Sequence, residues 1–591
     1  MTAPSPDQLA TTPPSFEIKV NGATLDTSYQ VVSIETWSGV NKLPRARIVI
    51  SDGSAADEDF PISETASLIP GVTLTISIGY GSSLTQIFGG VIVRQGLEAS
   101  VNGPSRLVVE ASDKAMAMTI ARQNAIFENM TDSAMIEKLI GDAGLTAKVT
   151  STSTQYPVIV QYYATAWDLM VLRAQANSMV VTVADGTVTV APPDTSASPV
   201  LTLTYGQSIL DFRADMDAQT QIAASAISSF GWDPATQALA TSSSASASVT
   251  TPGNISSATL AGVFGVSPYW QQSGGELQAA ELTAWSSAEL MLRELSKIRG
   301  QIRFQGSALA VPGCMVVLGG LGARFNGNGY VSGVNHLLAE GLWRTTVDIG
   351  LSAASFAATA ANVAAPGASG QFPPINNLQT GIVKQIDQDP DGEFRVLVTL
   401  PLLQAQGGAG VWARFGSFYA SNGIGSNFYP EIGDELVLSF LNGDPRYPVV
   451  LGSLYSKANP PPYPPTSGGD GAPNNIKSFM TKSKLHIDFI EDSPELLITT
   501  PANQSISLND KTKAITITDA NGNSITMNDS GITLKSASDI TLTATGAIKM
   551  SAGSDVTISA SASLNVSASA SAQISADGPM QIKGATVALN P

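Results

Sequence analysis

The sequence predicts a mainly β chain whose C-terminal part is a triple-stranded intertwined β-helix, and which therefore works as a homotrimer. Three observations carry this. An eight-residue repeat runs near the C-terminus, alternating apolar and polar segments fill most of the rest, and the composition is rich in Gly, Ser, Thr and Val with only 13% charged residues.

From Leu534, steps of eight fall on Leu542, Met550, Ile558, Val566, Ile574 and Ile582. Two residues upstream a second ladder runs through Ile532, Ile540, Ile548, Val556, Leu564, Ala572 and Met580. Each octad is thus one short strand with two side chains pointing inward, followed by a corner of small residues. A strand that short has no core of its own, and eight residues are too few for one chain to wrap a full three-faced turn. Three copies wound about one axis solve this. At about 4.8 Å per strand the octads give a shaft of roughly 34 Å. Upstream, the pairs Leu496/Ile498, Ile506/Leu508, Ile515/Ile517 and Ile525/Met527 repeat the motif with longer spacing and Asn-Asp or Asn-Gly turns, so the shaft is expected to continue through them.

Composition narrows the function classes. The chain has 591 residues, enough for several domains with cores of their own. Its formal charge of −17, which a trimer would triple, disfavours a nucleic-acid partner. One cysteine, Cys314, leaves no disulfide framework and no Cys-based zinc site. With only His336 and His486 besides, no catalytic site, metal or cofactor is expected. The opening MTAPSPDQLATTPPS has no basic region followed by an apolar one, so no secretory signal is expected, and no apolar run reaches the length of a membrane span.

In chain order, residues 1–15 are a Pro/Thr/Ser tail read as flexible. The hub spans 16–352. FEIKV, YQVVSIET, RARIVISD, GVTLTISIGY, IFGGVIV and RLVVEAS supply a first β-barrel over about 16–112. A small α/β insertion covers 113–200. There Thr131 precedes the amphipathic AMIEKLIGDAG, Thr165 and Asp168 open a helix in AWDLMVLRAQAN as a capping box, and VVTVADGTVTV turns at Asp185-Gly186. A second barrel over about 201–352 is interrupted by an amphipathic helix from about Glu276 to Arg299. Its Pro312-Gly313-Cys314-Met315-Val316-Val317-Leu318, then Phe325, Gly327 and Val331, echoes Pro70-Gly71-Val72-Thr73-Leu74-Thr75-Ile76, then Phe88, Gly89 and Val91. Two like barrels per chain would give a trimer six similar modules, able to match a six-fold ring. Residues 353–374 are an Ala/Gly/Pro linker, 375–456 a compact barrel, 457–478 a Pro/Gly linker and 479–591 the β-helix needle.

Within 375–456, GIVKQIDQDPDGEFRVLVTLP, VWARF and NFYPEIGDELVLSFLNGDPRYPVVLGSLY resemble the OB-fold barrel of the VgrG and phage tail-spike family. The matching positions are Gly381, Asp389, Gly392, Arg395, Pro401, Trp412, Arg414, Pro430, Gly433, Asp434, Phe440, Gly443, Asp444, Pro445, Pro448 and Gly452. The Gly-Asp-Pro and Pro-Glu-Ile-Gly-Asp signatures are fairly specific, the hub matches in pattern only, and the order of parts is similar to that family from Phe16 onward. The resemblance implies the central spike of a contractile injection machine, in which a shortening sheath drives a tube tipped by this spike through a target envelope. It also implies partners: an inner-tube ring at the hub end, baseplate proteins on the flanks and a small tip protein capping the needle. Some relatives carry a lysozyme domain before the needle or a toxin after it; only a linker stands in the first place here, and the chain ends soon after the last octad, so no enzyme is expected.

Other chemistry weighs less. Asp387, Asp389, Asp391 and Gly392 begin like a calcium loop, but the position for its bidentate Glu is Val398 inside a strand, and a hairpin turn explains the run better. Asp539 and Asp555 share an octad phase two repeats apart, on a corner otherwise carrying Ala547, Ser563 and Ser571; a solvated corner outweighs paired catalytic carboxylates. His486 could meet its symmetry mates on the axis, although a surface or packed histidine is the simpler reading. The loop FYASNGIGSNFYP has aromatics without interleaved Lys or Arg, so it is expected to pack on a neighbouring subunit or the neck rather than bind single strands or glycans.

The expected function is therefore the trimeric central spike of an extracellular phage-tail-like injection particle. A type VI secretion or phage baseplate spike is the alternative, with an envelope-degrading glycosidase or a receptor-binding fibre as lesser readings. The protein is expected to be made and assembled in the cytoplasm, then released in a particle or kept in a cell-anchored apparatus. From Ser536 on, Lys549, Lys583, Asp539, Asp555 and Asp577 are the only charges, which lowers the desolvation cost of crossing the target membrane, a transient partner.

Overall fold

Strands with alternating polarity bury one face and leave backbone groups at their edges, and in the N-terminal half both demands are met by one continuous sheet. The computed structural model describes residues 3–10, 12–100, 103–243, 245–361, 363–404, 409–465 and 474–589. They fall into two compact units, Met1–Asn377 with Phe440–Tyr447, and Leu378–Ser439 with Pro448–Pro591. Residues 466–473 of the Pro/Gly linker, 362 of the Ala/Gly/Pro linker, 1–2 and 11 of the tail, and 590–591 of the expected needle lie outside the described residues.

The first unit holds a 13-stranded sheet. One half runs Val31–Gly39, Lys42–Ser51, Gly103–Ser112, Ser83–Ser100, Thr73–Tyr80 and Pro14–Val20, and encloses Ile34, Ile48, Ile50, Leu74, Ile76, Leu107 and Val109. The other half contains Ile209–Met216, Ile298–Gln305, Leu342–Ile349, Gly327–Ala339 and Met315–Gly319, and encloses Leu203, Ile302, Phe304, Val316, Val331 and Val347. The two hub halves expected over about 16–112 and 201–352 share this one sheet. Val31–Gly39 pairs antiparallel with Gly327–Ala339, from Gly39 opposite Gly333 to Ser33 opposite Ala339. Two edges that would each have stood bare satisfy one another, and Trp343 from the second half reaches into the first half's core.

The echo between the halves is structural. Gly71 and Gly313 both have positive φ, 98° and 91°. The Gly71 amide donates to Ile92 O at 2.8 Å and the Ile92 amide to Val72 O at 2.9 Å; the Gly313 amide donates to Val331 O at 2.8 Å and the Val331 amide to Cys314 O at 2.9 Å. Each Pro-Gly therefore turns the chain into a strand through the same pair of hydrogen bonds.

The insertion forms as its caps predict. Thr131 Oγ1 accepts from the Ala134 amide to start Asp132–Asp142, and Thr165 Oγ1 accepts from the Asp168 amide at 3.0 Å to start Ala166–Ala176. Asp132, buried at the head of the first helix, accepts from Arg173 Nε at 2.7 Å and from Asn177 Nδ2 at 2.8 Å on the second, while Arg173 also reaches Tyr156 and Glu281. The amphipathic helix of the second half is Ala279–Leu295, shorter at both ends than the expected span. Two segments read as unstructured carry structure. The tail holds a helical turn, Pro6–Leu9, and Thr202 binds it through Pro4 O and Ala3 O. In the first linker the Phe356 amide donates to Gln175 Oε1 at 2.7 Å, and Ile375 N donates to Gly443 O at 2.8 Å.

In the second unit Gln379–Gln385, Val396–Thr399, Val411–Phe415, Pro448–Leu454 and Glu435–Phe440 close a five-stranded barrel around Val383, Val396, Val398, Ala413, Leu436, Leu438 and Val450.

Two predictions follow from the hub. A methyl group at Gly306 would overlap the buried Trp343 indole, whereas Gly96 has open space. Gly306→Ala should cost about 1–3 kcal/mol and lower the hub's thermal transition, with Gly96→Ala near wild type. Burial pushes His336, bonded through Nδ1 to Thr345 Oγ1 at 2.9 Å, down to about 4. The unfolded chain, titrating near 6.5, then binds more protons than the folded one between those values, so this contribution is complete above pH 6.5 and is lost as pH falls towards 4. Denaturation of wild type and His336→Gln across that window should show a difference in slope summing to about 3 kcal/mol.

Candidate functional site

Residues 476–535 form a seven-stranded antiparallel meander within one chain: Ile476–Met480, His486–Ile490, Glu495–Thr499, Ser505–Asn509, Ala514–Thr518, Ser524–Asn528 and Gly531–Lys535. Each strand from His486 on puts two apolar side chains on one face, and the register sets them directly opposite their neighbours. One column is Ile487, Ile498, Ile506, Ile517, Ile525 and Leu534; the other is Phe489, Leu496, Leu508, Ile515, Met527 and Ile532. The pairs at 496–527 seen in the sequence are here, and Ile487 and Phe489 extend the columns by one strand. That extension was readable in the alternation of HIDFI.

The needle expected over 479–591 thus begins with strands that pair within one chain. Up to Lys535 the chain pairs with itself, and Ile532 and Leu534 sit in its last such strand. Turn chemistry changes at the same place. Five of the six reversals use left-handed backbone, at Lys484, Asn503, Lys513, Gly522 and Gly531, and the turn between Ile490 and Glu495 does without it; no described residue after Gly531 has positive φ.

After Ser536 the described chain contains no strand and every residue is exposed. Exposure of the expected needle core runs from 54% at Ile548 and Val556, through Ile540, Leu542, Met550, Ile558, Leu564, Val566 and Ile582, to 82% at Ile574. Covering ten such side chains is worth about 15–30 kcal/mol per chain, far more than a soluble segment forgoes by chance. Asp539 and Asp555 face solvent beside them.

At the neck, Asp488 is buried and accepts from His486 Nδ1 at 2.7 Å, Tyr463 Oη at 3.0 Å and Ser478 Oγ at 2.5 Å. Burial and this carboxylate push the Tyr463 phenol up. His486 thus has a partner in its own chain, two residues along the strand, which the sequence reading overlooked. Phe428 of the aromatic loop stacks on Phe479 with centroids 6.2 Å apart, and Lys482 Nζ meets Glu431 at 2.9 Å, so this loop packs on the neck as expected.

The OB-motif residues build turns. Arg395 and the amides of Asp391, Glu393 and Arg395 bind the Asp389 carboxylate and hold it well below the usual carboxylate range, which closes the hairpin that looked like a calcium loop. Gly392 and Gly433 take positive φ, and Gly433 N donates to Val383 O at 2.9 Å while Asp434 accepts from the Glu431 amide at 2.8 Å. A side chain at Gly381 would strike Leu438. Trp412 and Arg414 lie on Val411–Phe415, Pro430 is buried, and Gly452 lies on Pro448–Leu454. In the first unit Gly443, Asp444 and Pro445 form a turn in which Arg446 holds the Asp444 carboxyl down and stacks on Phe372 at 4.3 Å. Among the described residues no three His, Cys, Asp or Glu converge as metal ligands.

Three family models match the chain. The Alg8 N-terminal domain covers residues 10–340, the type VI secretion system/phage-baseplate injector OB domain 379–455, and the phage baseplate V C-terminal trimerisation domain 495–590. The type VI secretion system spike protein VgrG4b of Pseudomonas aeruginosa is 44% identical over 52 residues, 9% of this chain and 6% of that protein. VgrG1b of the same organism is 30% identical over 115 residues, 18% of this chain and 16% of that protein. These alignments span well under a fifth of the relatives' lengths. Among solved structures, a 43 kDa tail protein of prophage MuSo2 from Shewanella oneidensis has a TM-score of 0.43 at 12% identity, over 58% of this chain and 99% of that one. A type VI secretion component of Escherichia coli has a TM-score of 0.37 at 15% identity, over 74% of this chain and 100% of that one.

Ile558→Asp with Val566→Asp places carboxylates from every copy inside an apolar interior, so light scattering should show loss of the trimer. Ser563→Asp on the corner should leave it intact. A double variant with wild-type mass and heat resistance would show that the octads are not buried between chains.

Proposed function

We propose that this chain, which belongs to the Alg8 N-terminal domain family and to the VgrG and phage tail-spike family, is the trimeric central spike of a phage-tail-like contractile injection system. The observation that carries this is the bare apolar ladder from Ile540 to Ile582, within a segment matched by a trimerisation domain. Three copies bury Ile532, Leu534 and the octad side chains that follow, and pair the backbone that one chain leaves unpaired. Upstream, three single-chain meanders turn their apolar columns towards the axis.

The spike joins a baseplate. At its hub end it docks an inner-tube ring, and the repeated construction of the two sheet halves supports this: three chains present six similar modules to a six-fold ring. The needle end carries a separate tip protein and crosses the target membrane under load. Its work is mechanical, with no catalytic step; turnover of peptidoglycan by the pure trimer would refute that part. The spike is assembled in the cytoplasm and leaves the cell within a particle. A cell-anchored type VI apparatus is the second reading, favoured by the VgrG names of the relatives that match in part.

Electron microscopy of particles from producing cells decides between these: density for this chain at the tube tip of released particles is the expected result, and retention of all the protein in the cell envelope supports the second reading. Particles carrying Ala547→Glu, Ser563→Glu and Ser571→Glu should assemble and contract but deliver less, because each octad corner then takes charge into lipid. Undiminished delivery would show that the uncharged faces do not matter.

A further inference from the structure

We propose that the hub carries a docking cleft for an extended, acidic polypeptide segment of another protein in the assembly, a reading that depends on the spike assignment only in expecting such a neighbour. Two adjoining clefts of about 550 and 400 Å³ in the first unit meet at Lys42 and Asp348, which line both. Arg299 stands in the larger and Arg45 in the smaller. Lys42, Arg45 and Arg299 are all exposed, and none of them forms an ion pair among the described residues. Arg47, Arg94 and Arg303, elsewhere on the hub, are paired with Glu98, Glu110 and Asp211. On a chain of net charge −17, two strands far apart in sequence bring three cations to one place.

The acceptor side of the balance is short. Asp348 is the one carboxylate lining either cleft, and its Oδ1 already accepts from Gln301 Nε2 at 3.2 Å. A partner covering this region would strip water from three like charges, and the cost falls if the partner supplies carboxylates. Trp37 adds an apolar anchor. Its half-buried ring carries the Arg45 guanidinium 5.9 Å from its centroid, a surface of the kind that dominates protein interfaces. Two hollows joined across Lys42 suit an extended segment that seats one apolar side chain in each and lays its carboxylates over the join. Gly350, in the wall of the larger cleft, turns at φ +72° in a place where a side chain would strike the Ile298 carbonyl. Nucleic acid fits less well, because it would have to approach a strongly acidic chain past Asp348.

The test uses the full-length trimer and a fluorescein-labelled peptide of alternating Glu and Leu, read by fluorescence anisotropy. Saturable binding is expected, weakening severalfold as salt rises to about 0.5 M. Lys42→Glu, Arg45→Glu and Arg299→Glu combined should weaken it at least about tenfold while light scattering still reports a trimer; Arg324→Glu, outside the cleft, should bind as wild type does. The proposal is overturned by no saturable binding, by equal binding to the triple variant, or by a short oligothymidylate binding as tightly as the peptide. It is equally overturned if chemical cross-linking joins Lys42 to a second copy of this chain, since the cleft would then be an interface within the trimer. None of these results would bear on whether the chain sits at the tube tip.

Discussion

The rest of the molecule depends on one unmet demand: from Ser536 onward the chain has two apolar side chains per octad and no strand partner of its own. Backbone amides and carbonyls without partners, beside exposed Ile, Leu and Val, cannot persist when other chains are at hand. Folding of this segment and assembly of the trimer are one event, so its stability has no meaning for a single copy. The hub halves and the five-stranded barrel differ, since each encloses a core within one chain. The meander stands between these extremes. Its backbone is satisfied internally, while its two columns are only half-covered. Three preformed sheets of that kind can align before any intertwining begins, which raises the local concentration of the octads for one another.

The boundary between the two constructions coincides with a change in turn residues. Asn503, Lys513 and Gly522 supply the left-handed positions that let consecutive strands reverse, and the last such position is Gly531. Glycines recur later, at Gly546, Gly553, Gly578 and Gly584, without adopting positive φ. Composition alone therefore does not separate the parts. Backbone conformation does, and it changes within a few residues of the point where the strand spacing in sequence settles to eight.

Local signals were legible and distant ones were not. The caps at Thr131 and Thr165, the hairpin at Asp185-Gly186 and the Pro-Gly echo depend on residues close in sequence, and each has the predicted structural counterpart. Fusion of the hub halves rests on Val31–Gly39 meeting Gly327–Ala339, a pairing across most of the hub that no window of sequence contains. The convergence of Lys42, Arg45 and Arg299 was hidden for the same reason. Asp488 is a different kind of miss. It lies two residues from His486, where strand periodicity puts both side chains on one face, and attention to a possible metal site passed over the simpler carboxylate partner.

The spike proposed for this chain must carry compression, and the register of the meander bears on how. Its apolar pairs stand directly opposite across every strand junction from Ile487/Ile498 to Ile525/Leu534, without a bulge. Each strand therefore supports the next at the same two points, and load passes down the columns through side-chain contact as well as through hydrogen bonds lying across the strand direction. The octads keep two apolar positions per strand, so three chains that intertwine after Ser536 continue the same columns with the same strand spacing of about 4.8 Å. What changes is who supplies the neighbouring strand. Once that neighbour belongs to another chain, pulling one strand out of line requires breaking contacts with two others, and failure under load becomes a collective event rather than the fraying of a single edge.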